Sequence, residues 1–155
     1  MNNALFSIKP KHVDNILAGN KTVELRSRTV NLETGTTIWI YSTLPNGCIS
    51  AYATIDKIHQ ATPSNIWKEY SEEIAISKKE FDEYVLGKAT VSAICLKDIY
   101  QIEPAISLEE LRNNTENFHP PQFFKKFPLN HSFIRYMHSL LDINVPQGQA
   151  LHFTC

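Results

Sequence analysis

Residues 7–28, SIKPKHVDNILAGNKTVELRSR, carry the signal that decides the fold. The stretch predicts a strand, a short helix, a tight turn and a second strand. Pro10 suits the first turn of a helix, where its missing N–H removes no intrahelical bond. Val13, Ile16 and Leu17 recur at i, i+3 and i+4, which makes one apolar helix face. Gly19 terminates the helix, because glycine enters the left-handed region without a Cβ clash. After it the period changes to two. Val23 and Leu25 alternate with Thr22, Glu24, Arg26 and Arg28. One face of this strand is apolar. The other carries a hydroxyl, a carboxylate and two guanidinium groups, with Lys21 at its mouth.

That polar face has two readings. It is either a solvated edge, whose Glu24–Arg26 pair is worth little, or a small site for an anion or a polar base. A lysine beside a carboxylate and an arginine suits a phosphate or a base edge. Partly desolvated, the lysine also loses its proton more readily and can serve as a base. Lys9, just before the helix, adds a further cation.

The pattern KP…ILAGNKTVELR resembles the signature of the ASCH domain family, a branch of the PUA-like superfamily. Residues 38–55 (IWIYSTLPNGCISAYATI), 76–88 (ISKKEFDEYVLGK) and 120–124 (PPQFF) are similar to later stretches of its larger members, in the same order. The resemblance implies a PUA-like β-barrel that binds RNA, a nucleotide or a modified nucleoside in a cleft around G-x-K-T-x-E-x-R. Ligand-binding residues would then be Lys9, Lys21, Glu24, Arg26, Arg28, Tyr41 and Ser42. An enzymatic branch of the family, acting on acetylated cytidine, joins the lysine of G-x-K-T to a threonine and a glutamate. Lys21 matches the lysine, Glu72 or Glu73 the glutamate, and Glu24 stands where the threonine would be. That departure removes the proposed nucleophile. The alternative to a binding domain is therefore a hydrolase of the same fold, a ribonuclease or an amidohydrolase, with Lys21, Glu24 and Glu72 as its catalytic groups.

The remaining chain is consistent with an α+β fold. Thr37–Ser42 reads as a buried strand, rich in β-branched and aromatic residues. Pro45-Asn46-Gly47 is a turn, and Cys48–Ile58 alternates as the second strand of a hairpin. Thr62, Ser77 and Ser107 each precede a helical pattern as caps, the last two with a glutamate three residues on. Ala89–Leu96 is a further strand, and Ile99, Tyr100 and Ile102 continue extended structure to Pro104. Phe123, Phe124 and Phe127 fall in a turn after Pro121. Residues 130–141 read as a helix, and residues 150–154 as a last strand. The sum predicts one domain over residues 1–155, a mixed sheet curled into a barrel with helices packed across its ends.

With 155 residues, 43% of them hydrophobic, the chain is neither disordered nor too short for a core. A net charge of −1 argues against bulk polyanion binding. The middle is acidic and both ends are mildly basic, so any RNA contact should be local and use few phosphates. No apolar run reaches membrane-span length, which excludes a membrane partner on this reading. Three widely spaced cysteines suggest a reduced, cytoplasmic protein. No Cys-x-x-Cys points to zinc. His131 and His138 lie roughly 10 Å apart along a helix, too far to share one metal. No glycine-rich phosphate loop or other motif calls for a cofactor.

Overall fold

The computed structural model describes residues 2–144 and 150–151, with side chains through residue 141. The elements run β1 (Asn3–Ile8), α1 (Pro10–Leu17), β2 (Val23–Arg26), β3 (Thr37–Ser42), β4 (Cys48–Ala61), α2 (Pro63–Ile74), α3 (Lys78–Tyr84), β5 (Val91–Ser107), α4 (Leu108–Asn114), β6 (Phe124–Phe127), α5 (Ser132–Asn144) and β7 (Ala150–Leu151). The strands form one sheet in the order β2-β5-β4-β3-β1-β6, with β7 added to β5. Among the described residues only β1 and β3 pair in parallel; the other ladders are antiparallel.

This is the mixed, curled sheet with helices that the PUA-like resemblance implies. Its long strands β4 and β5 shift register at three points, and such irregularities increase local bend and twist. The curl sends alternate side chains to different cores. Ala4, Phe6, Ile38, Ile40, Ile94 and Leu96 point inward, where Val13 and Ile16 of α1 join them. Leu5, Trp39 and Tyr41 point the other way, onto Leu111 of α4 and Phe133 and Met137 of α5. Val23, Leu25, Ala93 and Cys95 meet Ile66, Tyr70 and Ile74 of α2 and Phe81 of α3. Burying each such Leu, Ile or Phe contributes roughly 1.5–3 kcal/mol.

Three caps behave as the sequence predicts. Thr62 accepts from the Asn65 N–H, Ser77 from that of Glu80 and Ser107 from that of Glu110. Two expectations need correction. Residues 124–127 form a strand on β1 and not a turn, because a row of β1 backbone groups is open to pair with them. The strand over 89–96 and the extended structure expected on to Pro104 form one element that runs to Ser107, paired along β4. The strand expected over 21–28 is confined to Val23–Arg26. Of the expected last strand, Ala150 and Leu151 pair with β5; residues 152–154 lie outside the described residues.

The two ends of the strand path, β2 and β6, do not pair with each other. They approach across a seam. The Arg26 guanidinium reaches back to the Ser7 carbonyl at 3.1 Å, and the Ser7 N–H donates to the Phe123 carbonyl at 3.0 Å. That seam positions the site.

Candidate nucleic-acid cleft

A cleft of about 620 Å³ opens along the seam. The β2 alternation explains its floor. Val23 and Leu25 turn toward α2 and α3, so Glu24 and Arg26 take the opposite face, at the mouth of the curled sheet. Glu24 lies between two cations. Its Oε2 is 3.1 Å from Arg26 Nη2 and its Oε1 is 3.8 Å from Lys21 Nζ. The Leu25 N–H also donates to Glu24 Oε1 at 3.1 Å. Arg26 lies over the Phe6 ring at 5.0 Å, a cation–π contact that fixes its plane.

Lys21 is almost fully sealed, with 1% of its surface exposed. Its Nζ donates to the Ile74 carbonyl at 2.8 Å. That carbonyl belongs to the last residue of α2, one of the acceptors a helix C-terminus leaves without an intrahelical donor. A cation there also meets the negative end of the helix dipole. The Thr22 N–H satisfies a second such carbonyl, that of Glu73, at 3.0 Å. The lead-in to β2 is therefore the C-terminal cap of α2. Burial lowers the Lys21 pKa, the Glu24 carboxylate opposes that shift, and Arg26 adds to it.

His12, on α1, lines the same cleft. Its Nδ1 is sealed from solvent and has no hydrogen-bond partner. Desolvation, and then Lys21, hold its pKa below 6.5, with Glu24 pulling the other way. Above the floor, α3 supplies Tyr84, whose hydroxyl accepts from the Ser27 N–H at 3.0 Å and donates to the Leu25 carbonyl at 3.3 Å. Phe123 faces the cleft from the segment before β6, with the Arg28 guanidinium 4.4 Å above its ring. Tyr84 is 43% and Phe123 40% exposed, far more than core aromatics. Glu80, on the α3 side, is held by Lys11 at 2.6 Å, which ties α1 to α3.

The structure brings together Lys9, Lys21, Glu24 and Arg26 of the expected binding set, with Arg28 adjoining through Phe123. Three expected residues stand elsewhere. Tyr41 is buried against the Trp39 side, because β3 is covered on both faces and has no open one. Ser42 is fully buried and accepts from the Asn46 side chain at 3.0 Å. Glu72 is exposed on α2, outside the cleft, because the helix turns Ile66, Tyr70 and Ile74 inward and leaves its position on the solvent side. His12, Tyr84 and Phe123 also line the cleft, without any signal in the sequence pattern. Tyr84 stands at helical spacing from Phe81, and Phe123 lies in a phenylalanine-rich run; neither position signals a seam that closes through distant segments. Among the described residues no group of three His, Cys, Asp or Glu side chains is arranged to hold a metal, and no helix is long and apolar enough to cross a membrane.

Residues 1–123 match the family described as "Domain of unknown function (DUF365)". The chain is 33% identical over 119 residues to the "ASCH domain-containing ribonuclease" of Zymomonas mobilis, a match spanning 77% of this chain and 80% of that protein. The crystal structure of ASCH from Zymomonas mobilis is similar with a TM-score of 0.82 and 29% identity, over 89% of this chain and 94% of that one. The human THYN1 protein, crystallised in complex with 5-methylcytosine-containing DNA, has a TM-score of 0.54 at 13% identity, over 90% of this chain and 97% of that one. That last likeness is one of fold alone.

Proposed function

The chain belongs to the ASCH domain family, and from that premise we propose that it binds RNA, with one unstacked nucleotide seated in the seam cleft. The observation that carries this reading is the pair of exposed aromatics, Tyr84 and Phe123, lining one cleft above the Lys21–Glu24–Arg26 floor. Base–aromatic stacking contributes about 1–3 kcal/mol per base. The floor offers a carboxylate acceptor beside guanidinium donors, and Glu24 offsets one of the two cations. Such a floor can meet the mixed donor–acceptor edge of a base. Lys9 at the rim is exposed and can meet the backbone.

Photocrosslinking tests this placement. An unstructured RNA carrying 4-thiouridine should crosslink to peptides holding Tyr84 and Phe123. Crosslinks confined to the face around Lys57 and Tyr100 would overturn it.

A second reading, RNA cleavage in the same cleft, is favoured by one relative. The Zymomonas mobilis protein that shares 33% identity is named a ribonuclease. Lys21 and Arg26 would stabilise charge developing on phosphate oxygens, since an arginine fork suits planar acceptors.

A further inference from the structure

Among the described residues the cleft holds one imidazole, that of His12, and neither the family motif nor the charge cluster on β2 includes it. Its Nδ1 is sealed away from solvent without a partner. Nε2 is then the ring's polar atom left for a ligand. The ring shares the cleft with Lys21 and Arg26. An imidazole that shares a cleft with two cations is a grouping that can move a proton while negative charge grows on a neighbouring atom.

We propose that His12 Nε2 is the proton acceptor for cleavage of RNA by its own 2′-hydroxyl, a role that rests on the RNA reading of this cleft. The 2′-hydroxyl proton passes to Nε2 as the 2′-oxygen forms a bond to phosphorus. The bond from phosphorus to the 5′-oxygen breaks. That oxygen takes a proton from a water molecule, and the resulting hydroxide takes the proton from the imidazolium. The products are a 2′,3′-cyclic phosphate and a 5′-hydroxyl, and the protein returns to its starting state. Lys21 and Arg26, which line the same cleft, are the cations that would meet the phosphorane charge. The substrate class follows: RNA is cut and DNA, which lacks the nucleophile, is not.

The groups acting on His12 set its working range. Burial and the Lys21 and Lys11 ammonium groups favour the neutral ring, while Glu24 and Glu80 favour the charged one. The balance lowers the pKa from 6.5, so the ring is neutral and ready to accept a proton at pH 7.

The test uses the full chain, a 5′-labelled unstructured RNA and its all-deoxy counterpart. Anisotropy reads binding, and mass spectrometry reads the product ends. Wild type should release 2′,3′-cyclic phosphate ends and leave the DNA intact. His12→Ala should lose at least about 100-fold in rate, within the range general base catalysis supplies, with binding nearly unchanged. Added imidazole should restore part of that rate. His12→Gln, closer in shape, should lose the same activity and also the acid limb of the pH–rate profile, which lies below pH 6.5 in wild type. RNA that is bound but not cut, products with 3′-hydroxyl ends, cleaved DNA, or full activity in both variants would overturn the proposal while leaving the binding reading in place. Failure to bind any RNA would overturn both.

Discussion

Glu24 is the residue on which the charge balance of the cleft turns. It is 6% exposed and stands between Lys21 and Arg26. Removing one partner of a buried ion pair strands the others, at a cost of about 3–5 kcal/mol. Glu24→Gln should therefore destabilise by roughly that amount in urea unfolding. Lys21→Met should cost less, because Arg26 still pairs with Glu24. A loss for Lys21→Met larger than for Glu24→Gln would contradict this account of the cluster. His12 gives a pH signature. Its folded pKa is below 6.5, so the unfolded chain binds more protons as pH falls through 6.5. Stability rises with pH wherever the unfolded state holds more protons. Wild type should then lose stability relative to His12→Gln as pH drops through 6.5, and the difference should level off once pH is below the folded pKa. Parallel stability curves from pH 8 to 4 would contradict the burial of its Nδ1. The G-x-K-T-x-E-x-R residues were legible because strand parity alone places Glu24 and Arg26 together. Tyr41 was not, because parity cannot tell which strand is covered on both faces.

At the scale of elements, the join between α2 and β2 holds the site. Lys21 Nζ and the Thr22 N–H cap the Ile74 and Glu73 carbonyls, so the helix end and the cleft floor are built from the same bonds. Ala75 closes that helix in the left-handed region, with φ at 56°. An L-residue there is disfavoured by about 1–2 kcal/mol, a cost glycine avoids. Ala75→Gly should raise the melting temperature and leave RNA affinity unchanged; a lower melting temperature would show that the Ala75 methyl packs more than it strains. The helix starts at Thr62, Ser77 and Ser107 were legible because a cap is a local hydrogen bond between residues three apart. β6 was not, because its pairing with β1 joins segments more than a hundred residues apart and a phenylalanine-rich run of four fits a turn equally well.

For the whole molecule, the cleft follows from a sheet that curls without pairing β2 with β6. The floor comes from β2, the walls from α1, α3 and the segment before β6, and the site exists only when all are in place. No local window of sequence contains that geometry, although the curled mixed sheet itself was legible from strand order and from the family resemblance. The net charge of −1 and the partly offset floor limit how many phosphates can be neutralised. Binding should weaken only modestly with salt, with a log–log slope well short of that for an extended basic groove; a steep slope would place the contact on a larger surface. The central claim is that an unstacked base sits against the aromatics of this cleft. A fluorescence anisotropy titration of a short unstructured RNA against wild type and Phe123→Ala tests it most directly. Phe123 is 40% exposed, so its truncation leaves the core intact. The account predicts a dissociation constant raised roughly ten-fold, as the loss of one stacked base requires; an unchanged dissociation constant would contradict it.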